Sequence, residues 1–180
     1  MEIEFLYFKN CPNYIEVRRN LIEAARKLGL TTFIKDIDEI NRTRNVLFLC
    51  TQNSCRSQMA EGFARKLLDE RFEIFSAGTI PSSVNPRAIK VMKEIGIDIS
   101  NHYSKSVEIL LHLPFEYVIT VCDRARESCP NFTGVVKNRL HWNFEDPAEV
   151  SGTEEIVMRI FRKVRDLIKN RVSNFVSSNL

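Results

Sequence analysis

Apolar positions along the chain follow two spacings, one typical of buried strands and one typical of amphipathic helices. The segment 45–50 is apolar at every position after its first, which predicts a strand buried on both faces. Further strands are predicted over 72–76, over 115–121 and near 136–140. Helical spacing separates these segments, and an alternation of strands with helices predicts a parallel sheet covered by helices.

Three helices are predicted after the first strand. One follows the loop after Cys50, and the next opens at Asn85-Pro86 and closes at Gly96. The long last helix is predicted to begin at a capping box, Ser151-Gly152-Thr153-Glu154. We therefore expect a three-layer α/β fold, a four-stranded parallel sheet with helices on both faces. The last helix is predicted to face inward through Ile156, Val157, Ile160, Phe161, Val164, Leu167 and Ile168.

The N-terminal segment predicts a separate β-α-β unit. A strand over 3–8, a helix over 14–29 and a strand over 31–37 are followed by a polar linker. We therefore expect an extension and linker over 1–43, ahead of the main domain over 44–180. About 40 residues cannot bury a core of their own. The extension should dock on the main sheet, pair with a second copy in a homodimer, or stay loosely attached.

Composition narrows the class of protein. The chain has 180 residues, 44% apolar and 27% charged, as expected of a globular protein, and its net charge of +3 is too small to indicate nucleic-acid binding. No apolar run approaches the roughly 18 residues of a membrane span, and the acidic N-terminus does not resemble a signal peptide. We expect a cytoplasmic protein. Its odd number of cysteines, five, suggests catalysis, metal binding or redox chemistry.

The polar loop after the first strand is the most informative segment. Backbone N–H groups turned into such a loop, with a helix N-terminus behind them, bind a tetrahedral oxyanion. Arg56 would clamp two oxygens, and Cys50 would lie beneath the central atom as a low-pKa thiolate that accepts a hydrogen bond from Ser57. The alternative is a buried cysteine followed by an ordinary turn. The candidate oxyanion-binding residues are Thr51, Gln52, Asn53, Ser54, Cys55, Arg56 and Ser57.

Two later cysteines are placed to react with the first. Cys122 ends the third predicted strand, and the carboxyl ends of parallel strands share one edge of the sheet. Cys129 follows in a polar segment, so the three thiols suit a relay in which each attacks the sulfur before it. Two alternatives stay open. Cys122 is a buried packing residue, or Cys50, Cys55, Cys122 and Cys129 hold zinc, which the charge of Arg56 disfavours.

A carboxylic acid close to the oxyanion would protonate a leaving oxygen. Asp146, followed by Pro147, is the candidate. An Asp-Pro pair also marks a turn, and spacing alone favours the turn.

Motifs over about residues 44–176 resemble the thioredoxin-coupled arsenate reductases, which share the fold of low-molecular-weight tyrosine phosphatases. The resemblance is carried in order by nearly the whole predicted domain rather than by one loop. Its motifs are Cys50–Gly62, Ser76–Gly78, Val84–Pro86, Ile97–Ser100, Val118–Cys122, Cys129-Pro130, His141-Trp142 and Asp146–Ala148.

This resemblance implies reduction of arsenate to arsenite. Cys50 would form a covalent arsenic adduct, held by Arg56 and the loop amides, with Asp146 as general acid. Cys122 would displace arsenite and form a disulfide with Cys50. Cys129 would then leave a Cys122–Cys129 disulfide for thioredoxin, or a glutaredoxin, to reduce. The alternatives are a phosphatase that uses only the first thiol, and a non-catalytic thiol protein that senses arsenite or a soft metal.

The chain departs from the family pattern in the loop and beside it. Gln52 stands where the family often has Gly, which is tolerable if Asn53 takes the left-handed conformation instead. Some family members bind potassium through positions that match Asn53, Glu61 and Ser76, but the remaining ligand, often Asp, is Lys105 here. An ammonium group there would occupy the cation position, so we expect no cofactor and no required potassium. The alternative is a solvent-facing Lys105.

The extension departs further, because it resembles half of a thioredoxin-like fold. Cys11 lacks the second cysteine of a Cys-x-x-Cys pair, since Tyr14 stands there. We expect a structural role, with a redox role for Cys11 as the alternative. No chemistry is assigned to the three histidines, His102, His112 and His141.

Overall fold

The structure is a computed structural model that describes residues 44–127 and 129–179, together with Glu23 and Lys27. Within these residues there are four strands, β1 (Arg44–Cys50), β2 (Phe72–Gly78), β3 (Phe115–Thr120) and β4 (Val136–His141). They form one parallel sheet in the order β2-β1-β3-β4. The predicted α/β fold with a four-stranded parallel sheet is confirmed.

Helices connect and follow these strands. A short 3-10 helix also precedes β3, and a five-residue helix that the sequence did not predict begins directly after Cys122, in the polar segment before Cys129. No helix in the described ranges is both long and apolar enough to cross a membrane. The helices are α1 (Arg56–Leu67), α2 (Pro86–Lys93), α3 (Asp123–Glu127) and α4 (Glu154–Asn179), and the 3-10 helix covers Val107–Leu110.

β1 lies at the centre of the core. Its residues from Val46 to Leu49 are fully buried, because the strand pairs with β2 on one side and β3 on the other. Aromatic rings join the sheet to α4, with the Trp142 ring centroid 5.7 Å from that of Phe48 and 5.6 Å from that of Phe175. Each such ring contributes roughly 1.5–3 kcal/mol through burial.

The strand order places a ligand-binding edge between β1 and β3. The chain leaves β1 toward β2, whereas β3 pairs with the opposite side of β1. Such a switch point opens a crevice at the carboxyl ends of the two strands. The ends stay aligned here, since Leu49 pairs with Thr120 and the Val121 amide donates to the Leu49 carbonyl at 2.9 Å. Cys50 and Cys122 therefore both lie at this edge.

Two expectations for the last helix are wrong. Thr153, not Ser151, caps α4, because its hydroxyl accepts from the Ile156 amide at 3.4 Å. Ile156 and Leu167 were expected to face inward, yet they are 40% and 46% exposed, since the buried stripe of the helix is narrower than the apolar pattern.

The predicted N-terminal extension lies almost wholly outside the described residues. Glu23 and Lys27 are both helical, within the helix predicted over 14–29. The homodimer and the role of Cys11 stay predictions.

Candidate active site at the carboxyl ends of β1 and β3

The loop between β1 and α1 has its carbonyl groups turned outward. The carbonyl oxygens of Thr51, Gln52 and Ser54 accept from the amides of residues 80, 82 and 85 at 2.8, 3.1 and 2.9 Å. In a trans peptide the N–H points opposite to the C=O. The next amide along from each of these carbonyls therefore faces the inside of the loop. This is the arrangement expected of an anion-binding loop.

Gly78 and Asn53 make this loop conformation possible. A Cβ atom on Gly78 would lie 2.7 Å from the Thr51 carbonyl oxygen and 2.9 Å from the Asn53 nitrogen, so any side chain there would displace the loop backbone. Asn53 has φ 51°, the left-handed conformation, and among the described non-glycine residues it alone has positive φ. The expectation that Asn53, and not Gln52, takes this conformation is confirmed.

The Asn53 side chain is the centre of a buried hydrogen-bond network. Its Nδ2 donates to Ser57 Oγ at 2.9 Å and to Ser76 Oγ at 2.8 Å. Its Oδ1 accepts from Gln58 Nε2 at 3.0 Å and from the Lys105 amide at 2.9 Å. Asn53 is fully buried, so these contacts hold its left-handed backbone in place.

Gln58 and His102 support the same loop, and the sequence reasoning missed both roles. Gln58 Nε2 donates to the carbonyl oxygens of Asn53 and Tyr103 at 3.0 and 3.1 Å. This orientation leaves Gln58 Oε1 to accept from His102 Nδ1 at 3.0 Å. Burial lowers the pKa of His102, so the ring stays neutral in this position. No local pattern connects two residues 44 positions apart.

Cys50 lies beneath the loop with two hydrogen-bond donors on its sulfur. The Asn53 amide donates to Sγ at 3.0 Å, and Ser57 Oγ lies 2.9 Å away. Because Ser57 Oγ accepts from Asn53 Nδ2, its own proton is available for the sulfur. These donors and the Arg56 charge lower the pKa of the Cys50 thiol, but burial raises it more, so the expectation of a lowered pKa is corrected. The sequence motif shows the donors and does not show the burial.

Arg56 and Asp146 meet at the same edge. Arg56 forms an ion pair with Asp146 Oδ2, and its Nη1 donates to the Phe144 carbonyl at 3.0 Å. Asp146 Oδ1 accepts from the Ala148 amide at 3.1 Å, which makes an Asx turn. The turn expected of the Asp-Pro pair is therefore present, and it places the Asp146 carboxylate beside Arg56.

Cys122 shares a cavity of about 400 Å³ with the loop. Its Sγ lies 3.5 Å from Thr51 Oγ1, and its side chain is almost fully buried. The cavity is also lined by Gln52, Arg56 and Asp146. The edge thus brings together two thiols, a guanidinium and a carboxyl group.

Cys129 is not among the residues that line this cavity. It is half-buried beyond the C-terminal end of α3, and Arg139 Nη1 lies 3.5 Å from its Sγ. Cys55 is also among the cysteines that the structure describes, and burial raises the pKa of its thiol to about 12. Burial thus favours the neutral thiol at Cys55, as it does at Cys50.

Three residues that the sequence reasoning left without a role hold the start of α3. Asp123 directly follows Cys122, and its carboxylate accepts from His141 Nε2 at 3.0 Å and from Asn143 Nδ2 at 2.7 Å. His141 is itself fixed by Thr120, whose Oγ1 lies 2.8 Å from Nδ1. These contacts join the residue after Cys122 to β3 and β4.

Beneath the loop, the cation position holds a side chain. Glu61 is buried, accepts from Ser76 Oγ and Arg65, and has Lys105 Nζ 3.6 Å from its Oε2. Lys105 Nζ also donates to the Tyr103 carbonyl at 3.3 Å and is only 12% exposed, so the solvent-facing alternative is wrong. The Glu61 carboxylate therefore lies against two cationic side chains, those of Arg65 and Lys105.

The zinc alternative gains no support from the geometry. In the described part of the chain, no three or more His, Cys, Asp or Glu side chains are grouped to hold a metal ion.

Comparisons with known proteins identify a family and several similar enzymes. Residues 45–180 match the family described as low molecular weight phosphotyrosine protein phosphatase. The chain is 46% identical to the arsenate reductase of Halalkalibacterium halodurans and 45% identical to that of Bacillus subtilis, each over 74% of this chain and 95% of the relative. A solved arsenate reductase in its phosphate-binding state is 36% identical, with a TM-score of 0.62 over 74% of this chain and 97% of that one.

Proposed function

This chain belongs to the low molecular weight phosphotyrosine protein phosphatase family, and we propose that it reduces arsenate to arsenite. The observation that carries the proposal is the second thiol. Cys122 Sγ lies 3.5 Å from the hydroxyl of Thr51, the residue after Cys50, and lines the same cavity as Arg56. A hydrolase needs one thiol, whereas reduction of arsenic by two electrons needs two.

Arsenate binds in the loop between β1 and α1. It is a tetrahedral dianion near neutral pH, and inward backbone N–H groups together with a guanidinium suit its oxygens. Arg56 exchanges its contact with Asp146 for two arsenate oxygens. Cys50 then lies below the arsenic atom, with Ser57 and the Asn53 amide on its sulfur.

Cys50 carries out the first chemical step. Its sulfur attacks arsenic, an As–O bond breaks, and the thiol proton ends on the leaving oxygen as water. Asp146, which contacts Arg56 at this edge, passes that proton to the oxygen as general acid. Because the leaving oxygen takes up the thiol proton in this step, a Cys50 thiol with a raised pKa can still react with arsenate.

Cys122 carries out the reduction. Its thiolate attacks the Cys50 sulfur, the S–As bond breaks, and the electron pair of that bond stays on arsenic. Arsenic(V) becomes arsenic(III), arsenite takes up protons from water and leaves, and a Cys50–Cys122 disulfide remains.

Cys129 completes the relay. Its thiolate attacks Cys122, which releases Cys50 and leaves a Cys122–Cys129 disulfide. Thioredoxin then reduces this disulfide by dithiol exchange, and a glutaredoxin is the other candidate reductant. The segment between the two cysteines includes α3, and we expect its contact between Asp123 and His141 to open during this step.

The loop needs no potassium in this proposal. Lys105 supplies the positive charge beside Glu61, and the Lys105 amide also binds Asn53 Oδ1. The same residue, Lys105, thus supplies the positive charge with its side chain and binds the loop with its backbone amide.

Phosphomonoester hydrolysis is the second candidate function. The set of Cys50, Arg56 and Asp146 is sufficient for it, and phosphate has nearly the shape and charge of arsenate. Ala148 argues against a phosphotyrosine substrate, since related phosphatases usually carry aromatic residues after the Asp-Pro pair. A soft-metal sensor is a weaker candidate, because capture of arsenite needs neither Arg56 nor Asp146.

A coupled assay separates these functions. NADPH consumption is followed with arsenate, thioredoxin and thioredoxin reductase, for the wild type and for Cys129→Ser. We expect steady turnover in the wild type and at most a single turnover in the variant. Absence of wild-type turnover, together with steady release of phenol from an aryl phosphate, would identify a phosphatase instead.

A further inference from the structure

Arg139 of β4 lies against the thiol that sits outside the cavity. Its Nη1 is 3.5 Å from Cys129 Sγ, and its Cζ lies 5.3 Å from the centroid of the Phe132 ring. A guanidinium over an aromatic face is held in place and partly shielded from water. Phe132 thus fixes the Arg139 head group beside the sulfur.

No ion pair joins Arg139 to a carboxylate anywhere in residues 44–127 and 129–179. Its strand neighbour Lys137 differs in this respect, since its Nζ lies 2.7 Å from Glu116. The Arg139 charge is therefore directed at the Cys129 sulfur rather than neutralised by a nearby acid.

We propose that Arg139 is a positioning residue for thiol exchange, one that orients the Cys129 sulfur and stabilises its thiolate for the attack on Cys122. The inference rests on the relay of the proposed function. It gives Arg139, an exposed residue of the edge strand β4, a part in the disulfide exchange that precedes reduction by thioredoxin.

Cys129 needs such a partner because it lies outside the field of the oxyanion loop. The inward amides, the N-terminus of α1 and Arg56 all act at the cavity, which Cys129 does not line. Burial raises the pKa of the Cys129 thiol, and the charge and hydrogen bond of Arg139 oppose that rise. The thiolate is the attacking form, so a larger thiolate fraction near neutral pH speeds the exchange.

The step balances without a further reactant. The Cys129 thiol first gives its proton to water. Its thiolate then attacks Cys122 Sγ, the Cys50–Cys122 bond breaks, and Cys50 leaves as a thiolate with the bonding pair. One disulfide is exchanged for another, so there is no net oxidation or reduction.

The first test measures the thiol itself and needs no arsenate. The full-length reduced protein is labelled with iodoacetamide between pH 6 and pH 10, and labelling of Cys129 is followed by peptide mass spectrometry. We compare the wild type with Arg139→Gln and Arg139→Lys. Lys137→Gln serves as the matched control, because it removes a positive charge from the same strand.

Loss of the guanidinium should move the labelling midpoint of Cys129 upward by about half a pH unit, which is about threefold slower labelling near neutral pH. Arg139→Lys should retain most of the effect, and Lys137→Gln should match the wild type. An Arg139→Gln profile that coincides with the wild-type profile would overturn the proposal.

The second test follows the exchange. After arsenate is added without thioredoxin, Arg139→Gln should convert the Cys50–Cys122 disulfide to Cys122–Cys129 about threefold more slowly than the wild type, in line with its thiolate fraction. Equal conversion rates would overturn the role of Arg139 in exchange. If arsenate produces neither of these disulfides in the wild type, the proposed relay itself fails, and the separate labelling profile tells the two failures apart.

Discussion

Replacement of Asn53 tests whether one buried side chain holds the oxyanion loop. Asn53 is fully buried, has φ 51°, and makes four side-chain hydrogen bonds. Asn53→Gly keeps the left-handed backbone and removes the four contacts. Asn53→Ala removes the same contacts and also places a Cβ in the left-handed conformation. The pair separates the energy of the network from the energy of the backbone.

The magnitude follows from the partners left behind. A buried polar group that loses its partner costs about 1–3 kcal/mol. Ser57, Ser76 and Gln58 keep other contacts and the Lys105 amide loses its acceptor, so we expect about 1–3 kcal/mol for Asn53→Gly. The left-handed conformation costs an alanine a further 1–2 kcal/mol or so. Unfolding in urea, followed by circular dichroism, measures both differences.

Function provides a second readout on the same variants. With the loop amides no longer fixed, kcat/KM for arsenate should fall by about a hundredfold or more, as for loss of a positioned oxyanion donor. Stability of Asn53→Ala within about 0.5 kcal/mol of the wild type would refute the reasoning, because a change that small is typical of an unimportant surface site. Equal stability of Asn53→Ala and Asn53→Gly would refute the expected cost of the left-handed conformation for alanine.

Two further predictions concern the thiol and the cation position. Ser57→Ala removes a donor that stabilises the Cys50 thiolate, so the pKa of Cys50 should rise further and its alkylation profile should move to higher pH; a profile that stays in place would show that Ser57 is not the donor. The wild type should unfold at the same temperature in KCl and in NaCl. Lys105→Ala should lower the free energy of unfolding by roughly 1–3 kcal/mol, less than the loss of an isolated buried ion pair, because Arg65 still contacts Glu61. KCl should restore part of that loss. Stabilisation of the wild type by KCl over NaCl would contradict the assignment of Lys105.

The parts of the site that the sequence predicted are those determined by neighbours along the chain. Cys50 and Arg56 follow from a buried strand, a polar loop and a helix in succession, and the parallel sheet follows from the alternation of strands with helices. Asn53 was preferred over Gln52 for the left-handed position because Asn tolerates it better, and the backbone agrees.

The parts that the sequence did not predict depend on distant contacts or on burial. The contact between Asp123 and His141 joins residues 18 positions apart, and no spacing rule links them. The Cys50 pKa depends on how deeply the sulfur is buried, which the motif does not express. The cap of α4 was misplaced because Ser151 and Thr153 are both good caps, and only the hydrogen bond to the Ile156 amide distinguishes them.

The central claim is that arsenic is reduced by the pair Cys50 and Cys122. A single-turnover experiment without thioredoxin tests it most directly, with arsenite measured by chromatography and disulfides by peptide mass spectrometry. We expect one arsenite per wild-type chain with a Cys122–Cys129 disulfide, one arsenite per Cys129→Ser chain with a Cys50–Cys122 disulfide, and no arsenite from Cys122→Ser. Stoichiometric arsenite from Cys122→Ser would show that Cys122 does not reduce the arsenic.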